Sequence, residues 1–465
     1  VNAAATTHAR GRLLLTLALG EVPEHVPTLH ECRRGGAAPA QTLDGGVLDR
    51  LLRHYGSSAR AVRLHRPRAG IGARRYDTVE QRSGVARQLR VRVADDSHLR
   101  SLVDALRQTP VVEHVIPDYL MTTPFDAGAK GAAVDQDEAW RPREAIRLPQ
   151  ALGYEAGDDS IGIGLADTGV ALADPEIDVQ MRRGFDTVDL RGEDAGGYTL
   201  VGDARGFDED PADEVGHGTG CAAIMIAKGY ALPPGGAGAC AIVPARVLGA
   251  ALGPGNKRVG VGAIANIDQG MKRLIDLGVK VINMSFGTAD AALAPDDTRP
   301  HTEVVRYALQ RGCILVAASG NSGKTERYYP AAHPGVIAVG AVSATDEPTA
   351  FSTRGDHVAL CAPGQSIWTC SLDGYARVSG TSFAAPFVAA AAALLASRAQ
   401  RRAYPLAPED ARDLLTRSAR PFRGAAHDGC GSGTLDVLGA LRLLDQYIDA
   451  QLATADSGAA GDIDA

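Results

Sequence analysis

The chain has 465 residues, of which 45% are hydrophobic, 22% charged and only 5% aromatic, with 54 glycines and 25 prolines. That is a globular composition, and it excludes collagen, a coiled-coil rod and wholesale disorder. Lys plus Arg number 48 against 55 Asp plus Glu, a net charge of −7, but residues 1–123 hold 18 Arg, no Lys and 12 acids (+6), which leaves −13 for the rest.

The basic segment has no Lys/Arg block and no RNA-binding aromatic motif, so nucleic acid is not an expected partner. A basic unit beside an acidic body reads as two parts that attract each other. The seven cysteines (Cys32, Cys221, Cys240, Cys313, Cys361, Cys370 and Cys430) are odd in number and unpatterned. Neither a disulfide framework nor a zinc site is expected from them. The longest apolar runs, 13–20 and 384–396, fall short of the ~18–20 residues of a membrane span, and no membrane partner is expected. Residues 13–20 follow Arg10 and Arg12 as a signal core would. No A-x-A site follows, and Glu21 and Glu24 come at once, so the run reads as a strand. A cytoplasmic location is favoured on these grounds, secretion being the alternative, and a monomer is expected.

In chain order, 13–19 reads as a strand, 48–54 as a helix with Leu48, Leu51 and Leu52 on one face, and 61–64 as a strand. Residues 88–93 alternate polar and apolar, as a half-buried strand should. Asp96 or Ser97 caps a helix carrying Leu99, Leu102, Val103 and Leu106 at i, i+3, i+4 and i+7. Thr109-Pro110 stops it, and 111–116 is the last strand. The order β-α-β-β-α-β predicts a small α+β, ferredoxin-like unit over 1–123, with 21–45 and 67–86 as long irregular loops. Residues 124–138 are small and polar without periodicity, a linker. From 139 to 450, strand-like runs (161–166, 242–248, 279–284, 314–317, 336–342 and 358–360) alternate with helical patterns. That alternation predicts an α/β domain with a mainly parallel sheet flanked by helices. Residues 451–465, small and acidic, read as a disordered tail.

Four short stretches carry chemistry. Asp167-Thr168-Gly169 puts a carboxylate at the end of an apolar strand. Gly216-His217-Gly218-Thr219 opens an apolar helical run. Asn321 stands just past another strand. Ser379-Gly380-Thr381-Ser382-Phe383-Ala384-Ala385-Pro386 runs into an alanine-rich helix. A serine hydroxyl is a poor nucleophile until an imidazole takes its proton, and the imidazole needs a carboxylate to fix its tautomer. A serine at a helix start lies near free backbone N–H groups, and an asparagine amide supplies a second donor to an oxyanion. Singly, Asp-Thr-Gly and Asn-Ser-Gly are everyday turns, and a histidine after glycine is more often structural. The joint occurrence, each residue at a strand or helix end, points to hydrolysis. No G-x-S-x-G elbow exists, which disfavours an α/β-hydrolase. The triplet Asp456-Ser457-Gly458 lacks the apolar strand that an aspartic protease would need.

The Asp167, His217 and Ser382 stretches resemble the three signatures of the subtilases, the subtilisin-like serine proteases, over roughly 140–445. The resemblance implies Asp167 as the orienting acid, His217 as the general base, Ser382 as the nucleophile and Asn321 as the oxyanion-hole residue. It implies that Ser285-Phe286-Gly287 and Gly260-Val261-Gly262 are strands on either side of a substrate cleft, with the peptide or protein substrate lying between them. Ala318, Ser319 and Gly320 would form a wall of the S1 pocket, Glu326 or Arg327 would approach its base, and Ile264 and Ile267 would line S4. No organic cofactor is implied. Some family members bind calcium, and Asp208, Asp210 and Asp213 in the acidic loop before His217 are the candidate ligands for a structural ion. Residues 111–119 resemble the last strand of the subtilase propeptide, which makes the N-terminal unit an intramolecular inhibitor of a zymogen, cut off between Tyr119 and Glu138. The alternative is a catalytically silent peptide-binding protein on the same frame.

Three positions depart from the pattern or invite comment. Gly220 stands where a second histidine is usual, and altered local packing is expected. Cys221, one helical turn after His217, resembles the cysteine of the thiol-containing subtilases; its ordinary reading is inert core packing. Phe383 replaces the more common methionine after the nucleophile. A phenyl ring has no thioether to oxidise, so activity should survive dilute peroxide, and its rapid loss in a timed assay would count against that expectation.

Overall fold

The computed structural model describes residues 8–21, 24–68, 75–123, 130–131, 133–191, 195–423 and 427–459. The N-terminal unit is an antiparallel sheet of β1 (His8–Leu17), β2 (Ala59–Arg63), β3 (Gln88–Val93) and β4 (Val112–Thr123), in the order β2-β3-β1-β4. Helices Val47–Gly56 and Leu99–Arg107 bury Leu48, Leu52, Leu99, Leu102, Val103 and Leu106 against Leu13, Leu15, Leu89, Val91 and Val115. This is the expected α+β arrangement. Neither expected cap serves the second helix: its N-cap is His98, and no side chain bonds there. The two stretches read as irregular loops each contain a short helix, Leu29–Arg33 and Thr78–Ser83. Both open with a capping box, Thr28 with Glu31 and Asp77 with Glu80. The x-x-Glu spacing was the signal for both. β4 continues past Ile116 to Thr123 because it acquires a second partner, described below.

The second domain is built on a seven-stranded sheet in the order Val358–Pro363, Ile337–Val342, Ile314–Ala318, Val281–Met284, Gly162–Asp167, Ala241–Arg246, Phe185–Asp186. Every adjacent pair is parallel. Both faces are covered, so the strands are apolar throughout and split by parity. Ile163, Leu165, Ile314 and Val316 face one helical layer, which contains His217–Ile226 and Thr381–Arg401. Ala166, Ile282, Met284, Leu315 and Ala317 face the other, with Ile264–Asp276 and Thr302–Gln310. Thr381–Arg401 is, among the described residues, the one helix long and apolar enough to cross a membrane, yet 94% of its apolar window is buried in the core. Its alanines let it lie close to the sheet where few aromatics are available.

The last helix runs from Val437 to Ala459. Disorder was expected from 451, so this reading is corrected for 451–459. Gln451, Leu452 and the alanines there are good helix formers, and the stretch extends an existing helix without a nucleation cost. The linker reading for 124–129 and 132, and the tail reading for 460–465, fall outside the described residues; the linker reading is corrected for 136–138, which open the helix Gln136–Ala145 capped by Asp135. Lys130–Gly131 pairs with Tyr375–Ala376 of the hairpin Ile367–Ser371/Gly374–Val378, and the Trp368 indole N–H donates to Glu138 Oε2 at 3.1 Å.

The N-terminal unit packs on the Ile264–Asp276 and Thr302–Gln310 layer through Leu14, Leu64, Val85, Ile116, Tyr119 and Met121. Its positive charge is matched locally. Arg33 and Arg90 reach Asp189 at 2.5 and 3.1 Å, and Arg100 and Arg107 reach the buried Asp297 at 2.8 and 2.6 Å. The Tyr119 hydroxyl also donates to Asp297, and Thr16 Oγ1 donates to Glu303 at 2.7 Å. Asp118, fully buried, pairs with Arg12 at 2.5 Å and accepts the Ala265 N–H at 3.0 Å. It thereby satisfies an orphan donor at the start of helix Ile264–Asp276.

Burial alone would raise the Asp189 carboxyl, but Arg90, Arg33 and Arg12 outweigh it and hold the group down at about 2. Burial and Arg12 bring Arg90 down to about 10, so in acid only the carboxylate titrates. A depressed folded pKa gives stability that is complete above roughly pH 4 and is lost as pH falls towards about 2; the shift corresponds to on the order of 2 kcal/mol. Hydrogen exchange on the full chain should show β1 and β3 losing protection over that window. Asp189→Asn should remove this part of the pH dependence.

Candidate active site

The carboxyl ends of the parallel strands converge, as they do at ligand sites of open α/β sheets. Asp167 is the last residue of the interior strand Gly162–Asp167, and His217 is the first of its helix. His217 Nδ1 lies 2.7 Å from Asp167 Oδ1, with the side chains 1% and 0% exposed. Asp167 Oδ1 also accepts the Thr168 N–H at 2.7 Å. The threonines of the two motifs bolt the elements together: Thr168 Oγ1 accepts the Gly218 N–H, and Thr219 Oγ1 accepts the Ala171 N–H, both at 2.9 Å. Residue 218 must be glycine, because a Cβ there would lie 2.1 Å from the Gly169 carbonyl oxygen.

Ser382 is the second residue of helix Thr381–Arg401, and its hydroxyl donates to the Ser285 carbonyl at 3.2 Å. Pro386 lies inside that helix and has no N–H for the carbonyl four residues earlier. That carbonyl belongs to Ser382. Ser285 Oγ donates to it at 2.9 Å and Cys221 Sγ at 3.4 Å. Asn283 Nδ2 donates in turn to Ser285 Oγ at 2.9 Å. The Ser382 backbone is therefore tied to both the 283–285 segment and the His217 helix. Cys221 is fully buried, and burial with Asp167 nearby pushes its thiol well up. It stays protonated and acts as a donor. Asp167, His217 and Cys221 bring their polar atoms within 4.8 Å of one another, and the direct Asp–His hydrogen bond suits acid–base chemistry.

Asn321 Oδ1 accepts from Thr381 N at 2.9 Å and Thr381 Oγ1 at 3.0 Å, which orients the amide and leaves Nδ2 uncommitted among the described residues. Ser285 and Phe286 are buried beside Gly287, and Ala318, Ser319 and Gly320 follow the neighbouring strand end. Gly260 and Gly262 lie in strand Arg258–Ala263, whose free edge carries β4 in antiparallel register: Gly260 opposite Thr123, Val261 opposite Thr122, Gly262 opposite Met121, Ala263 opposite Leu120. Thr122 also bridges to Gly287. The chain's own β4 thus lies between the two strands expected to hold a peptide. Ile264 and Ile267 are fully buried and pack in one cluster with Tyr119 and Met121, where an apolar subsite was expected.

Two expectations are corrected. Asp208, Asp210 and Asp213 do not form a ligand set. Asp213 Oδ1 accepts from Val215 N and Gly216 N, and Oδ2 from Thr219 N and Oγ1, so it caps the histidine helix. Asp208 and Asp210 each accept an N–H of their own loop. Nor does Arg327 approach the S1 base: it pairs with Asp356 at 3.0 Å on the surface. The ring of Tyr328, a residue without a sequence signal, stands between Gly287 and Gly320, where the S1 pocket is expected. The departure at Gly220 has a compensation. A Cβ there would lie 3.1 Å from Thr369 Cγ2 and 3.2 Å from Phe383 Cε1. The Phe383 ring also stacks obliquely beside His217, centroids 5.3 Å apart. The phenyl occupies the space that a side chain at 220 would need.

A model of the subtilase family matches residues 158–433. The thermophilic serine proteinase of Bacillus sp. (strain AK1) is 32% identical over 307 residues, covering 65% of this chain and 67% of its own. Thermitase of Thermoactinomyces vulgaris is 34% identical over 263 residues, covering 55% of this chain and 81% of its own. Among solved structures, the epidermin leader peptide processing serine protease of Staphylococcus aureus superposes with a TM-score of 0.60 at 19% identity, over 77% of this chain and 91% of that one, a likeness of fold.

The contact between positions 220 and 383 is measurable. Gly220→His should cost about 1–3 kcal/mol by overpacking, and Phe383→Met should relieve part of that cost. A double-mutant cycle read by urea unfolding should therefore give a favourable coupling. Strict additivity would mean that the two positions do not share space.

Proposed function

The chain belongs to the subtilase family and is a subtilisin-like serine endopeptidase acting on peptides or proteins; from that premise we propose that Asp167, His217, Ser382 and Asn321 carry the reaction and that residues 1–123 restrain it. The observation that carries the reading is the buried 2.7 Å Asp167–His217 pair at the same carboxyl end of the sheet as Ser382 and Asn321. Ser382 Oγ turns from the Ser285 carbonyl and attacks the scissile carbonyl carbon, while His217 Nε2 takes its proton. Asp167 holds the Nδ1–H tautomer and stabilises the imidazolium. The oxyanion receives the Asn321 Nδ2–H and the Ser382 backbone N–H. His217 then protonates the leaving amine, and water repeats the sequence on the acyl-enzyme. No step calls for a metal or an organic cofactor, and the acidic loop does not fit one.

The place of β4 supports a self-inhibited zymogen. Its residues 120–123 use the backbone groups that a substrate would use, and the cut lies within 124–138. The silent-binder reading has no observation of its own in its favour. The test is to purify the full chain and its Ser382→Ala form. The parent should lose residues up to the 124–138 stretch by N-terminal sequencing, take a fluorophosphonate at Ser382 and digest casein. Ser382→Ala should remain full length and unlabelled. Asn321→Ala should lower kcat by about 10²–10³ with little change in KM. Absence of processing, labelling and digestion in the parent would favour the binder.

A further inference from the structure

The slot between the two S1 walls is not empty. A Cβ built on Gly287 would lie 2.6 Å from Tyr328 Cε1 and 3.0 Å from Cδ1. One built on Gly320 would lie 3.1 Å from Tyr328 Cγ and 3.2 Å from Cδ2, and 2.8 Å from Thr353 Oγ1. The aromatic ring therefore spans from one wall to the other. It is held at both ends. The hydroxyl donates to the Gly287 carbonyl at 2.9 Å. The backbone is paired, Tyr328 opposite Ala289 and Tyr329 opposite Thr288. Thr353 is itself fixed: its Oγ1 accepts the Ser322 N–H at 3.1 Å, and its carbonyl accepts from Ser319 Oγ at 3.0 Å. No flexible side chain is left to give way. The two glycines that form the walls can approach the ring this closely only because they lack side chains.

From this geometry, and resting on the proposed assignment of Ser382 and its cleft, we infer that Tyr328 is a specificity-determining residue that fills the S1 slot, so that the enzyme cleaves after small residues (glycine, alanine or serine) and rejects large apolar and aromatic ones. A bulky P1 side chain would have to displace a ring anchored by a hydrogen bond and a β-bridge, at the moment when the scissile carbonyl must sit against Ser382. A small one needs no room that the ring has taken. The same anchoring separates the two parts of the tyrosine: exclusion comes from the ring, and the hydroxyl only holds it.

The experiment uses the full chain after its own processing and a series of internally quenched peptides that differ only at P1: Gly, Ala, Ser, Leu and Phe. Fluorophosphonate labelling of Ser382 is measured on the same sample. For the parent, kcat/KM with Ala should exceed that with Phe by about a hundredfold or more, the discrimination a steric pocket can reach. Mass-spectrometric mapping of a casein digest should show small residues at P1, a readout that needs no variant. Tyr328→Gly should open the slot and raise kcat/KM for Phe and Leu at least tenfold, while Tyr328→Phe, which keeps the ring, should preserve the parent's ranking. Labelling at Ser382 together with equal cleavage after Ala and Phe would overturn this inference alone. An unchanged ranking in a folded Tyr328→Gly enzyme would do the same. Absence of labelling and of all cleavage would overturn the catalytic assignment and this inference with it.

Discussion

The backbone of strand Arg258–Ala263 has hydrogen-bonding groups on both edges, and in a protein interior such groups must be met. One edge is met by Gly249–Leu252. The other borders the cleft, where water or a chain laid in the extended conformation can satisfy it. In this structure that chain is β4, so one continuous ladder joins the N-terminal sheet to the groove beside Ser382. The charged seam follows from this constraint. Once β4 is laid in the groove, Asp118 comes beneath the first turn of helix Ile264–Asp276 and Tyr119 comes to Asp297. The pairing sets the place of the whole N-terminal unit, and the ion pairs then secure it.

The same economy of backbone groups shapes the nucleophile's surroundings. Pro386 deprives one carbonyl of its helical partner, and a buried carbonyl without a donor is costly. Ser285 and Cys221 supply donors from two different elements. What looks like a defect in a helix is thus a joint among three segments. Asp213 performs a similar service for the histidine helix, and Thr168 and Thr219 for the seam between acid and base. Asp167, His217 and Ser382 are held by neighbours that are themselves hydrogen-bonded, as in a site organised before its substrate arrives.

Much of this was legible in the sequence, for physical reasons. Strands buried on both faces are continuous apolar runs, so the central sheet could be read almost strand by strand. Asp167, His217, Asn321 and Ser382 were visible because each sits at or just past the end of an apolar strand or at the start of an apolar helix, beside glycines. What could not be read depends on contacts distant in the chain. The acidic loop looks like a cation site until Asp213 is seen spending both oxygens on a helix start. β4 looks like a short strand until its second partner appears. Tyr328 sits in a run with no periodicity, and nothing local says that its ring reaches both Gly320 and the distant Gly287. The two short helices were a different kind of miss, since their capping boxes stood in the sequence.

The scarcity of aromatic residues has one more consequence. The chain has two tryptophans, Trp140 and Trp368. Trp368 is buried, bonded to Glu138, on the hairpin whose outer strand takes up Lys130–Gly131. Trp140 lies in the helix that begins at Gln136. Both indoles stand where the connecting segment rejoins the second domain. The tryptophan emission of the whole molecule therefore originates at that junction, and the protein carries its own optical label there.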